Sequence, residues 1–93
     1  MTRRPAGVHS PPDTERPDDF LARYGESLRA ARIQSGLTQV EVAEMTGVQQ
    51  SYLAKIEAGK KNIGIWTMKL LADVVEHDLG QFFNTLHRRR SRK

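Results

Sequence analysis

The sequence predicts an all-α fold, one domain of five helices followed by a basic tail, on three observations. Apolar residues recur at helical spacing between residues 20 and 86, and no run alternates with a strand period over enough residues to argue for a sheet. Helix start and stop signals cut that stretch into short pieces. A chain of 93 residues with 38% hydrophobic side chains has material for one small core and no more.

Residues 1–18 hold all four prolines (Pro5, Pro11, Pro12, Pro17) among Ser, Thr, Gly and charges, with almost nothing large and apolar to bury, and read as a disordered arm. From Phe20 the pattern changes. Phe20, Leu21, Tyr24, Leu28 and Ala31 recur at helical spacing, and Gly36 supplies the left-handed residue of a helix stop. Thr38 opens Thr-Gln-Val-Glu, a capping-box spacing, so a second helix starts there and Gly47 ends it after barely two turns. A third runs from Gln49 or Gln50 to Ala58, with Leu53 and Ile56 as its apolar side and Gly59 as its stop. Two short helices joined by a tight, glycine-containing turn form a helix-turn-helix unit. Beyond the polar Lys60-Lys61-Asn62 loop, a fourth helix from about Ile65 to Glu76 presents Met68, Leu71, Ala72 and Val75. A fifth starts at Asp78, a good N-cap, and presents Leu79, Phe82, Phe83 and Leu86. The domain thus spans 19–86, with 87–93 as the tail.

Composition removes several functions. With no cysteine there is no disulfide framework and no thiolate zinc site, and His9, His77 and His87 are too scattered to pair as ligands, so neither metal nor cofactor is expected. No apolar window approaches 18 residues, and Met1 to Ser10 has no apolar stretch behind its arginines, which argues against membrane spanning and secretion and for a cytoplasmic protein. The net charge of +4 invites a nucleic-acid reading, but its location weakens that inference. Residues 1–18 balance, residues 19–86 carry seven basic against eight acidic side chains, and the tail HRRRSRK carries five basic and none acidic. The case for DNA must therefore rest on arrangement.

The run Leu28-Arg29-Ala30-Ala31-Arg32, Gly36-Leu37-Thr38-Gln39, Val42-Ala43, Gly47-Val48, Ile56-Glu57, Gly59-Lys60 resembles the XRE family, the helix-turn-helix proteins of the lambda-repressor and Cro type, over roughly residues 20–84. The resemblance implies a DNA-binding transcriptional regulator, usually dimeric, whose third helix enters the major groove. At 100° per residue, Leu53 and Ile56 face inward while Ser51, Lys55 and Ala58 face outward, flanked by Tyr52 and Ala54. Base-reading positions match Gln49, Gln50, Ser51 and Lys55, with Gln50 foremost because its amide pairs with adenine N6 and N7. Phosphate contacts are expected from Gln39, where the family places a glutamine on the DNA backbone, and from Lys60, Lys61 and Asn62. Arg32 and Glu57 look like the family's buried ion pair, a structural lock whose breaking costs about 3–5 kcal/mol.

The chain departs from the family pattern where it has Ile63 in place of a frequent Pro, Glu76-His77 in place of a common Gly-Val, and Trp66 in place of a polar surface residue. The flanking loop and turn are therefore expected to differ in shape, Trp66 to pack under the arm in preference to marking a contact surface, and His77 to be a turn residue. An enzyme is disfavoured, since no nucleophile stands beside a base and no ligand cluster or phosphate-cradling loop is present. The rival is a protein-interaction module that kept the scaffold and lost DNA binding, but two glutamines, Ser51 and Lys55 beside a Lys-Lys loop suit a groove better. Within the DNA-binding class the reading is a repressor on an inverted-repeat operator. A restriction-modification controller, or an antitoxin with a toxin as partner, has the same fold. The partners expected are double-stranded DNA and a second copy of the chain, joined through Leu79, Phe82, Phe83 and Leu86. One of the two phenylalanines, Phe82 in preference, should close the monomer core instead. Arg88 to Lys93 should act as an electrostatic anchor along the minor groove or the DNA backbone, the alternative being a solvated tail.

Overall fold

In the computed structural model, residues 15–84 are described, and they form five helices with no strand. These are α1 (Pro17–Gln34), α2 (Gln39–Thr46), α3 (Gln50–Glu57), α4 (Ile65–Val75) and α5, residues 79–84 up to the edge of the described region. The expectations placed on residues 1–14, on Leu86 and on the tail lie outside it. No helix among the described residues is long and apolar enough to cross a membrane.

α1 begins three residues before the apolar pattern does. Pro17 occupies the first turn, where its missing N–H has no partner to lose, Asp18 and Asp19 complement the helix dipole, and Phe20 N–H donates to the Arg16 carbonyl at 2.9 Å. Pro17 and Asp18, grouped with the arm on composition, are therefore helix. Glu15, just upstream, accepts two hydrogen bonds from Arg23 at 3.0 and 3.1 Å, and the Arg23 guanidinium lies 4.2 Å from the Phe82 ring centre. One arginine thus ties the start of α1 to α5.

The capping box at Thr38 forms in full: Glu41 N–H donates to the Thr38 hydroxyl oxygen at 3.0 Å and Thr38 N–H donates to the Glu41 carboxylate at 2.9 Å. Gly47 takes φ 80°, closing α2 and allowing α3 to start three residues later. The core gathers Tyr24 and Leu28 from α1, Val42 from α2, Leu53 and Ile56 from α3, Leu71 and Val75 from α4, and Phe82 from α5. α1 lies across α3 and α4, and α2 packs on both as well. The α1–α3 crossing is unusually close at Gly25, where a Cβ would stand 2.5 Å from the Glu57 carbonyl oxygen and 2.6 Å from that of Ile56. Only a residue without a side chain lets α1 reach the carboxyl end of α3.

The turn before α5 keeps a left-handed stop without glycine: Glu76 itself adopts φ 57°, ψ 44°. His77 is more than a turn residue. Its backbone N–H donates to the Ala72 carbonyl at 2.9 Å, its ring is buried between Tyr24 and Phe82, and its Nε2 lies 2.7 Å from the Ser27 hydroxyl. Its type and position suggested a turn residue and no more; the chain reversal at Glu76 also aims its ring inward. Trp66, with 67% of its surface exposed, is uncovered among the described residues, and the Lys69 ammonium stands 5.9 Å from its ring centre.

Candidate nucleic-acid interface

The short α2, the turn at Gly47 and α3 place the glutamines at one corner of the molecule. Along α3, Leu53, Ile56 and Glu57 are buried, Tyr52 and Ala54 half-buried, and Gln50, Ser51 and Lys55 exposed, the division that 100° per residue demands. Gln49 is the N-cap residue but makes no side-chain capping bond, and it too is exposed. Hence all four expected base-reading residues share the outer face or tip of one helix.

Behind that face runs a continuous polar chain. Arg32 Nε donates to Glu57 Oε2 at 2.7 Å and Arg32 Nη2 to Glu57 Oε1 at 3.0 Å. Both side chains are nearly enclosed, so the pair is bidentate and desolvated. Its hydrogen bond to Glu57 is the largest influence raising the Arg32 pKa above its ordinary value; burial works against this, and the carboxylate's charge adds to it. The third Arg32 donor, Nη1, reaches the Leu37 carbonyl at 2.9 Å and holds the chain just before α2. Glu57 Oε1 also accepts from Gln39 Nε2 at 3.1 Å, and Gln39 Oε1 accepts from Gln50 Nε2 at 2.9 Å. Residues expected to serve separately as lock, phosphate contact and base reader are thus joined in one line from α1 to the tip of α3.

Gln39 does not stand free toward solvent; it is half-buried and spans the gap between Glu57 and Gln50. An amide nitrogen carries two hydrogens, so one remains for an anion. The Gln39 and Val40 backbone N–H groups at the start of α2 have no acceptor within the helix. Lys60, Lys61 and Asn62 are all exposed after α3, and the Lys61 ammonium lies 5.6 Å from the Tyr52 ring centre. Sequence reasoning treated Tyr52 only as a flanking residue; an aromatic about two turns before a basic loop was the signal available. Gly25 was missed too, although a glycine inside an otherwise apolar-periodic helix costs about 1 kcal/mol against alanine and so asks for a packing reason. Among the described residues no group of three or more His, Asp or Glu side chains is placed to hold a metal ion.

A paired helix-turn-helix with a polar, glutamine-bearing second helix on a five-helix scaffold defines a class of DNA-binding domain. The chain belongs to the helix-turn-helix family of the XRE type, which its sequence matches over residues 28–76. It is 33% identical over 57 residues to an uncharacterized HTH-type transcriptional regulator of Sinorhizobium fredii, covering 61% of this chain and 74% of the relative. Among solved structures it is similar to the restriction-modification controller protein C.Esp1396I, determined as a tetramer in complex with its natural 35-base-pair operator. That likeness has a TM-score of 0.63 at 23% identity and covers 74% of this chain and 91% of the controller.

Proposed function

We propose that this protein is a sequence-specific double-stranded DNA-binding regulator, acting as a repressor, that reads an inverted-repeat operator as a dimer with α3 in the major groove. The observation that carries the reading is the Glu57–Gln39–Gln50 line. It holds the Gln50 amide at the exposed tip of α3 while leaving its Oε1 and one N–H uncommitted among the described residues, the acceptor and donor pair that matches adenine N6 and N7. Gln49, Ser51 and Lys55 lie beside it for neighbouring bases. The remaining Gln39 hydrogen, the start of α2 and the Lys60-Lys61-Asn62 loop serve the phosphates on either side. The acidic residues Glu44, Asp73, Glu76 and Asp78 need only lie off this face for a domain without excess positive charge to bind. The C.Esp1396I controller, which shares the fold, is described as an oligomer on operator DNA, and a dimeric reading accords with it.

The test is binding of Gln50→Ala to a sequence selected from random DNA by the wild-type protein. Affinity for the selected sequence should fall by about 1–3 kcal/mol while affinity for random DNA stays nearly unchanged, because a base contact is lost and no phosphate charge. Equal losses on both would remove Gln50 from base reading.

A further inference from the structure

We propose that Glu57 sets the direction in which Gln50 presents its amide to the groove, and through it the base pair that α3 selects; this rests on the DNA-binding reading above. A carboxylate paired with Arg32 only accepts hydrogen bonds, whereas a glutamine amide donates at one end and accepts at the other. Facing Glu57 Oε1 at 3.1 Å, Gln39 must turn its Nε2 inward, which turns its Oε1 toward α3. Only a donor satisfies that oxygen, so Gln50 must offer Nε2, and it does so at 2.9 Å. The buried charge therefore dictates the polarity of two successive amides. One orientation of Gln50 places acceptor and donor along the groove in one order; the reversed amide would exchange them and meet the adenine pattern from the wrong side.

An ion pair serving the scaffold alone would need Arg32 and Glu57. Here the same carboxylate oxygen that takes Arg32 Nη2 at 3.0 Å also takes Gln39, and the far end of Gln39 meets the α3 tip. Glu57 is nearly enclosed, with 3% of its side-chain surface exposed, so water does not compete to reorient Gln39 at that end. A neutral amide at position 57 would accept or donate equally well, and both orders along the groove would become available. Glu57 is in this sense a positioning residue that never touches DNA.

The experiment has two arms on the full chain. Without DNA, the side-chain amide signals of Gln39 and Gln50 should each show one protected, downfield-shifted proton by NMR, and Glu57→Gln should remove the Gln39 shift. Two freely exchanging amides in the wild-type protein would overturn the proposal. In the second arm, wild type, Glu57→Gln and Gln39→Met each select from a random DNA pool. Wild type should discriminate about 5- to 150-fold at the adenine that Gln50 reads. Both variants should lose at least fivefold of that discrimination, or most of it where it is smaller, and keep their preferences at the other positions. Gln39→Met leaves the ion pair intact and so reports even where Glu57→Gln fails to fold. Losses spread evenly over all positions in proportion to lost thermal stability would make Glu57 purely structural, and an unchanged preference at that position would overturn the proposal outright. If wild type selects nothing, the DNA-binding reading itself fails, while the amide signals still decide whether the relay exists.

Discussion

At the scale of single residues, Gly25 carries the most specific consequence. Alanine there would gain about 1 kcal/mol of helix propensity, yet its Cβ would press on the Ile56 and Glu57 carbonyl oxygens, which are backbone and cannot swing aside. Overpacking of this kind costs about 1–3 kcal/mol, and the strain falls on the end of α3 that holds Glu57. Gly25→Ala should therefore lower the melting temperature by several degrees, since about 1 kcal/mol shifts a domain of this size by 4–8 °C. A variant that melts higher than wild type in a thermal scan would show that α1 and α3 part without cost. His77 gives a pH dependence. Burial is the larger influence and pulls its pKa below the ordinary 6.5, with the charge of Asp78 opposing it. Nδ1 is buried without a hydrogen-bond partner among the described residues, and the neighbouring Tyr24 phenol, itself pushed up to about 12 by burial, stays neutral. The folded state thus prefers neutral His77. Its contribution is complete above pH 6.5 and is lost as pH falls from there through the depressed folded value, because the unfolded chain takes up the proton first. Urea midpoints should decline as pH falls below about 6.5, and His77→Gln should flatten that decline. A slope unchanged by the substitution would assign the effect elsewhere.

At the scale of elements, the α4–α5 connection works against its own sequence. Glu76 holds a left-handed conformation that costs an L-residue about 1 kcal/mol or more, and it does so at the position that lets His77 turn inward and α5 fold back over α1. Glycine would remove that strain but add unfolded-state entropy of about 0.4–1 kcal/mol. Glu76→Gly is therefore expected to raise stability modestly, by up to about 1 kcal/mol in a denaturant titration, without moving α5. A clear loss would mean that the Glu76 side chain contributes an interaction that outweighs the strain. The turn between α2 and α3 shows the contrary case: Gly47 takes its left-handed geometry freely, and the two short helices are held by caps and by the core instead of by length.

At the scale of the whole molecule, the apolar stripe of α5 divides as a small core requires. Phe82 is buried among Phe20, Tyr24, His77 and the Arg23 guanidinium, whereas Phe83, next to it in sequence, stays 43% exposed and stacks on Phe20 with ring centres 6.1 Å apart. Leu79 is half-buried beside them. A surface of that kind suits a second copy of the chain across a two-fold axis, which would set two α3 helices about 34–36 Å apart in successive grooves. Sedimentation at tens of micromolar should then give about twice the 10.5 kDa chain mass, and Phe83→Glu should return it to the monomer while leaving the melting transition in place. A wild-type chain that sediments as a monomer and binds half-sites as tightly as a palindrome would defeat the dimer.

The sequence by itself determined the glycine stops and the capping box that bound α2 and α3, and which faces the helices bury; the start of α1 at Pro17 and the stop at Glu76 it did not. Those features depend on hydrogen bonds and side-chain spacing within about four residues: the Thr38–Glu41 box, the stop at Gly47, and Leu53 and Ile56 opposite Ser51 and Lys55. It also marked Gln50, Gln39, Arg32 and Glu57 as residues of interest, through their spacing and family resemblance. Only the tertiary structure decided that these four act in one line, because the bonds among them bridge 11 to 25 residues and exist only once α1, α2 and α3 have docked. The same holds for His77, whose partner Ser27 lies 50 residues away, and for Gly25, whose missing side chain matters only against the backbone of another helix. Local chemistry is written in neighbouring residues, whereas these contacts are set by the angle and distance at which finished helices meet.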